Sequence, residues 1–378
     1  VAHLARLSHD DSKRQDCLRL WNNMAQRQLY ITGGIGSQSS GEAFSSDYDL
    51  PNDTVYAESC ASIGLMMFAR RMLEMEGNSQ YADVMERALY NTVLGGMALD
   101  GKHFFYVNPL EVHPKSLKFN HIYDHVKPIR QRWFGCACCP PNIARVLTSI
   151  GHYLYTPRED ALYINIYAGN SMEVPVENGT LRLRVSGNYP WQEQVTIAVE
   201  SPQPVRHTLA LRLPDWCTQP QIILNGEEVE QDIRKGYLHI TREWQEGDTL
   251  NLTLPMPVRR VYGNPLVRHV AGKVAIQRGP LVYCLEQADN GESLHNLWLP
   301  TDAPFTTFDG KGLFRHKILI QAPGYRYEQS NPEQQPLWHY DSAPAKRQPQ
   351  ILTFIPWFSW ANRGEGEMRI WVNEETSA

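Results

Sequence analysis

Gly135-Cys136-Ala137-Cys138-Cys139-Pro140-Pro141-Asn142 is the stretch around which this chain is organised. It leads into Ile143-Ala144-Arg145-Val146-Leu147-Thr148-Ser149-Ile150-Gly151, which carries a helical apolar spacing. Proline is favoured in the first helical turn, where its missing N–H costs nothing. It also biases the preceding residue away from the helical region, so Cys139 is expected to be extended or in a turn. Cys138 and Cys139 thus fall at, or just before, a helix N-terminus, where free N–H groups and the macrodipole favour anions. A thiol so placed has a lowered pKa, and the thiolate is the form that binds metal or attacks carbon.

Upstream of this stretch the chain reads as helical. Asp10-Asp11-Ser12 can cap a helix running through Cys17, Leu18, Trp21, Met24 and Leu29 to Gly33-Gly34. A polar, glycine-rich loop spans Ile35 to Thr54. A second helix from about Glu58 to Gly77 is apolar on most sides and is expected to be deeply buried. A third runs from Gln80 to Gly95-Gly96. His103 to Trp133 is aromatic and irregular, and reads as extended strands and loops. Few helices with long loops between them suggest part of an α/α toroid, with apolar surface where further helices would pack.

Downstream of Thr156-Pro157 the period changes from 3.6 to 2. Strand patterns recur at 161–167, 180–185, 194–199, 207–213, 221–224, 236–241 and 248–254, which argues a β-sandwich. Pro255-Met256-Pro257 marks a boundary, and a second β-rich region follows, with 321–349 reading as a long polar loop. The expected domains are therefore 1–155, 156–257 and 258–378.

Composition bounds the function. The 378 residues carry a net charge of −5, with 42% hydrophobic and 20% charged residues and no basic run. Nucleic acid and anionic membrane are poor partners for such a chain, and no apolar run reaches the length of a membrane span. Seven cysteines in a long chain do not form the disulfide framework of a short secreted domain. Reduced, metal-bound or catalytic thiols in a cytoplasmic protein fit better. The chain begins Val1-Ala2-His3-Leu4, without Met, and reads as the later part of a longer protein, so a signal peptide is not assessable.

Cys17, Cys217 and Cys284 read as buried structural thiols, and histidines 103, 113, 121 and 125 as loop or core residues. Glu58-Ser59-Cys60 differs. Residues i and i+2 share a face in an extended segment but not in a helix. If the helix starts at Ser59 or later, Glu58 and Cys60 point the same way. Joined by Cys138 and Cys139 they would offer one oxygen and three sulfurs, a tetrahedral set suited to Zn²⁺. Spacing alone leaves this and simple packing of the cysteines about equal. Glu42, in Ser39-Ser40-Gly41-Glu42-Ala43-Phe44, reads either as a solvated loop glutamate or as a carboxyl shielded by Ala43 and Phe44, with a raised pKa fit for general acid catalysis.

Gly41-Glu42-Ala43-Phe44, Tyr56-Ala57-Glu58-Ser59-Cys60-Ala61 and Cys136-Ala137-Cys138-Cys139-Pro140-Pro141-Asn142, in that order, closely resemble glycoside hydrolase family 127, whose named activity is β-L-arabinofuranosidase. The resemblance implies the C-terminal part of an (α/α)6 barrel followed by two β-sandwich, jelly-roll-like domains. It implies a zinc ion held by Glu58, Cys60, Cys138 and Cys139, with Cys138 as nucleophile and Glu42 as acid/base. Tyr106, expected to bind substrate, and Cys136 would be further active-site residues, and family histidines from earlier barrel helices fall outside this chain. The implied reaction is retaining release of terminal β-L-arabinofuranosyl residues from arabino-oligosaccharides or glycoconjugates, and a homodimer is compatible with it. Two alternatives stay open: a related glycosidase for another sugar, and a carbohydrate-binding or scaffold protein whose zinc is purely structural.

Overall fold

The helices that carry the site owe their limits to local chemistry. In a computed structural model describing residues 1–8, 10–158, 161–176, 179–328, 338 and 346–375, α1 is Ala2–Ser8 and α2 is Asp11–Arg27. The Asp10 side chain accepts a hydrogen bond from the Lys13 amide and caps α2. Helix α3, Ser59–Glu76, ends at Gly77, whose φ of 60° is the left-handed conformation that glycine adopts without a Cβ penalty. Its Ile63, Leu65, Met66, Ala69, Met72 and Leu73 are all buried, as its all-round apolar character requires. Helix α4, Ser79–Ala88, is capped by Asn78 and runs on into a π-helical turn, Leu89–Val93. Leu4, Leu7 and Leu20, on α1 and α2, are exposed.

Helix α5, Cys139–Thr148, follows the cysteine-rich stretch. The proline rule put Cys139 outside the helix. It is instead the first helical residue, and Cys138 (φ −72°, ψ −34°) is the N-cap. The proline effect is a bias, and the fully buried Cys139 side chain, 3.6 Å from Cys60, overrides it.

The strands from Tyr155 to Thr253 form two sheets, one of five strands and one of six. Leu209 and Leu211 of the first and Leu181, Leu183, Val185 and Ile197 of the second bury into one core, each set alternating or running inward as a two-sheet packing needs. Ala161–Ile164 pairs in parallel with Val205–Arg212, while the other pairings in these sheets are antiparallel.

The C-terminal strands differ from the expected second two-sheet sandwich. They hydrogen-bond as one ten-stranded sheet, and Lys273–Arg278 pairs with both Leu281–Glu286 and Val372–Glu375, closing six strands into a ring. The reading of 321–349 as a loop is corrected at its two ends, 321–327 and 347–349. Ile318–Tyr327 and Arg347–Pro356 are ten-residue antiparallel partners, while 329–337 and 339–345 lie outside the described residues. Glu111–Val112, from the irregular segment after α4, adds a strand at one end of this sheet by pairing with Met368–Arg369.

That pairing ties the helical region to the C-terminal one, and Arg130 reinforces it. The buried guanidinium donates to the carbonyls of Gly95, Phe358 and Trp360 and stacks 4.6 Å over the Phe105 ring. Burial lowers its pKa to about 9. The segment next to Phe105 is thereby held rigidly where it meets the N-terminus of α3.

Candidate active site

Three backbone segments meet at the start of α3. Glu58 bridges Val107 as an isolated β-bridge, and the Ser59 amide donates to the Tyr106 carbonyl at 3.0 Å. The Ser59 hydroxyl donates to the Phe105 carbonyl, and the Asn108 amide reaches both Ser59 Oγ and the Ala57 carbonyl. Because α3 starts at Ser59, Glu58 is its extended N-cap residue, and Glu58 and Cys60 share a direction. The N-terminus of α5 arrives opposite.

The result is a cluster. One ligand atom from each of Glu58, Cys60, Cys138 and Cys139 lies within 4.8 Å of every other, an arrangement that could hold a metal ion. Cys60 Sγ is 3.6 Å from Cys139 Sγ, and Cys138 Sγ is 3.8 Å from Cys139 Sγ. Glu58 Oε1 is 3.3 Å from Cys138 Sγ and 3.8 Å from Cys139 Sγ. Glu58 and Cys139 are buried, and Cys60 and Cys138 are half-buried.

Protein groups alone cannot let this cluster ionise fully. Burial pushes the Cys138 thiol up to about 12. The sulfur–sulfur contact with Cys139 pulls Cys60 down to about 7 and pushes Cys139 far up in return. One thiolate forms at the expense of the others, because three anionic sulfurs and a carboxylate at this spacing repel. A cation at the centre removes the conflict.

A tyrosine joins the cluster to the second carboxylate. The Tyr106 hydroxyl is 3.4 Å from Cys138 Sγ and 3.5 Å from Glu42 Oε1. The Tyr56 hydroxyl donates to the same Glu42 oxygen at 2.8 Å. Burial raises the pKa of both phenols, so they stay protonated donors. The expected shielding of Glu42 by Ala43 and Phe44 is not found. Glu42 is exposed, and Phe44 keeps 44% of its surface. The loop turns tightly at Gly41 (φ 73°) and Glu42 (φ 49°), closed by the Gln38–Ala43 bridge, and this turn aims the carboxylate at the tyrosines.

Cys136 is exposed and is not among the four converging residues. Cys17, Cys217 and Cys284 are buried free thiols away from the cluster, as expected. Of the four histidines, His125 packs its ring 6.1 Å from Tyr56 and bonds the Thr54 carbonyl, His103 and His121 meet the nearby Asp100 and Asp124, and His113 meets Glu367 of the C-terminal region. The sequence reading did not single out Tyr56 or Asn142, whose side chain hydrogen-bonds Cys60. Asn142 sits three residues after Cys139, on the same face of α5, and that spacing was the available signal.

Three family models match this chain in succession. They are described as the β-L-arabinofuranosidase GH127 catalytic domain (residues 1–152), the GH127 middle domain (161–256) and the glycoside hydrolase family 127 C-terminal domain (258–373). The chain belongs to glycoside hydrolase family 127. A GH127 β-L-arabinofuranosidase from Geobacillus stearothermophilus T6, solved by crystallography, is 47% identical, with a TM-score of 0.95 over 99% of this chain and 59% of its own. A second GH127 structure, a β-arabinofuranosidase, is 33% identical with a TM-score of 0.89, covering 99% of this chain and 58% of its own. A non-reducing end β-L-arabinofuranosidase from Bifidobacterium longum subsp. longum is 38% identical over 98% of this chain. This family 127 chain spans 57% of the length of that curated relative.

Proposed function

We propose that this protein works as a retaining β-L-arabinofuranosidase, with Cys138 as nucleophile and Glu42 as acid/base, and that its helices form part of an (α/α)6 barrel. The observation that carries the reading is the position of the Tyr106 hydroxyl. It lies within 3.5 Å of both the Glu42 carboxylate and the Cys138 sulfur, so the two groups flank one small space. A retaining glycosidase needs a nucleophile and a proton donor on either side of one anomeric carbon.

The donor set fits zinc. Tetrahedral ligands at about 2.3 Å for sulfur and about 2.0 Å for oxygen stand roughly 3.8 Å apart between sulfurs and roughly 3.5 Å between sulfur and oxygen. Four of the six separations, 3.6 and 3.8 Å between sulfurs and 3.3 and 3.8 Å from sulfur to oxygen, match this, and all six are within 4.8 Å. Glu58, Cys60, Cys138 and Cys139 would hold the ion, and when bound it keeps thiols ionised that burial would otherwise protonate.

The residues then divide the work. The Cys138 sulfur attacks the anomeric carbon, the glycosidic C–O bond breaks, and the departing oxygen takes the proton from Glu42. Water next attacks the same carbon, Glu42 takes the water's proton, and the C–S bond breaks. Two inversions give retention. Tyr106, beside both reacting groups, is placed to donate to the sugar, and we assign Cys136 to the rim of the same site. Seven free cysteines support a reducing, cytoplasmic location.

A four-ligand set is also what a purely structural zinc site presents, and one experiment separates the readings. Glu42→Gln leaves every cluster ligand in place and removes the proton donor. On a terminal β-L-arabinofuranoside the intact protein should keep its zinc and lose roughly 10²- to 10⁴-fold in turnover. Wild-type activity in this variant would sink the mechanism.

A further inference from the structure

Two backbone positions near the site adopt a conformation that side chains with a Cβ rarely accept. Glu42 has φ 49° and Ala57 has φ 40°. Ala57 is fully buried, its amide donates to the Gly36 carbonyl at 2.8 Å, and its own carbonyl accepts from Asn108 Nδ2. Such positions persist only where the surroundings over-determine them, and they gather at functional sites. Ala57 separates two residues with different tasks. Glu58 faces the cysteine cluster, and Tyr56 faces Glu42. A regular extended segment would point both side chains the same way. The left-handed residue between them is what turns Tyr56 towards the loop carrying Glu42.

We propose that Tyr56 is the positioning residue of the acid/base carboxylate, pinning Glu42 Oε1 so that Oε2 is the oxygen that exchanges the proton. This rests on Glu42 being the acid/base. Both tyrosine hydroxyls, Tyr56 at 2.8 Å and Tyr106 at 3.5 Å, meet Oε1. Oε2 is left to face the leaving group. Tyr56 is itself held by the Asn108 amide, which donates to its carbonyl, and by the His125 ring at 6.1 Å. An exposed glutamate on a loop would otherwise sample several rotamers. The strained residue Ala57 ties its position to the same backbone that carries the metal ligand Glu58. One segment therefore sets both the nucleophile's anchor and the proton donor.

The test uses Tyr56→Phe, Glu42→Gln and the double variant in the intact protein, on aryl β-L-arabinofuranosides of graded leaving-group acidity and on a natural sugar linkage. The value of kcat/KM reports the steps up to breakage of the glycosidic bond, where good leaving groups need no proton. Tyr56→Phe should lower kcat/KM about 10- to 100-fold on the natural linkage, the worth of one hydrogen bond to a charged group. It should hardly change the most acidic aryl substrate, so the dependence on leaving group steepens. In the Glu42→Gln background the same substitution should have almost no further effect, and zinc content should match wild type throughout. Equal losses on all substrates, or losses that add to those of Glu42→Gln, would overturn the proposal and leave Tyr56 a structural residue. If Glu42→Gln itself shows no leaving-group dependence, the acid/base assignment fails, and the role of Tyr56 falls with it.

Discussion

Cys60 and Cys139 stand 79 residues apart in the chain and hold their sulfurs 3.6 Å apart across the N-termini of α3 and α5. Neither helix start makes sense alone. Cys60 needs α3 to begin one residue earlier, so that Glu58 stays outside it. Cys139 needs α5 to begin at itself, against the local preference set by Pro140. The cluster and the two helix boundaries are one structural decision.

The metal should therefore be a stabilising ligand as well as a chemical one. Cys60→Ala leaves three ligands and should lower bound zinc from one per chain to well below one. Free zinc at about 1,000 times its dissociation constant adds roughly 4 kcal/mol to a native state that alone binds it. Adding zinc to the stripped wild type should raise its melting temperature, and should do so far less in Cys60→Ala. Elemental analysis with calorimetry checks both, and equal zinc in the two proteins would remove Cys60 from the ligand set.

One buried amide helps join the end of α4 to the C-terminal sheet. Asn91, in the π-helical turn, accepts from the Val282 amide at 2.9 Å and donates to the Pro280 carbonyl at 3.0 Å. Asn91→Leu strands both backbone groups in a buried place, and each costs about 1–3 kcal/mol. We expect a loss of roughly 2–6 kcal/mol in urea unfolding. A change under about 0.5 kcal/mol, the size of an ordinary surface substitution, would show that water replaces the amide.

Much of this architecture was readable in the sequence because it follows local periodicity. The ends of α3 were set by Glu58 and Gly77, and Gln194–Val199 and Gln221–Leu224 fell where alternation put them. What was missed depends on partners far away. Glu111–Val112 is a strand only because Met368–Arg369 lies beside it. Pro323 and Pro349 made 321–349 look like loop, yet both sit in long paired strands, opposite Ile351 and Tyr325. In the site, the Glu-x-Cys spacing put Glu58 and Cys60 on one side once a helix start was placed, but spacing alone did not decide between a metal cluster and packed thiols. Tyr56 was not legible, because its direction depends on a left-handed alanine that no periodicity announces.

A buried charge group fastens α4 to the middle sheets and gives a pH-dependent prediction. Arg212 Nη1 meets Asp83 Oδ1 and Nη2 meets Glu86 Oε1, each at 2.6 Å, with the arginine side chain fully buried. Burial outweighs the pull of Arg212 and pushes Asp83 up to about 7. A carboxyl raised in the folded state binds more protons there than in the unfolded chain, so stability falls as pH rises from about 4 towards 7. Arg212→Leu removes the cation that both carboxylates meet and raises Asp83 further. It should cost about 3–5 kcal/mol near neutrality, with a larger deficit at pH 8 than at pH 5. Denaturant unfolding at both pH values decides it, and a deficit that shrinks at high pH would contradict the assignment.

The covalent step is open to direct observation, and the division of roles says where to look. Breaking a bond to a good leaving group needs no proton donor, but activating water on the second step needs a base. Glu42→Gln should therefore build up the sugar–cysteine species on an activated aryl β-L-arabinofuranoside. After digestion, the peptide Trp133 to Arg145 should carry one added pentosyl unit. That peptide holds Cys136, Cys138 and Cys139, so fragmentation must place the unit. We expect it on Cys138, the one of the three within 3.4 Å of the Tyr106 hydroxyl that also touches Glu42. Azide, which attacks without giving up a proton, should release the sugar as a glycosyl azide of retained configuration and restore turnover in Glu42→Gln. A unit on Cys136 would move the nucleophile two residues upstream. A peptide that never gains mass while substrate is consumed would mean that no cysteine attacks the sugar.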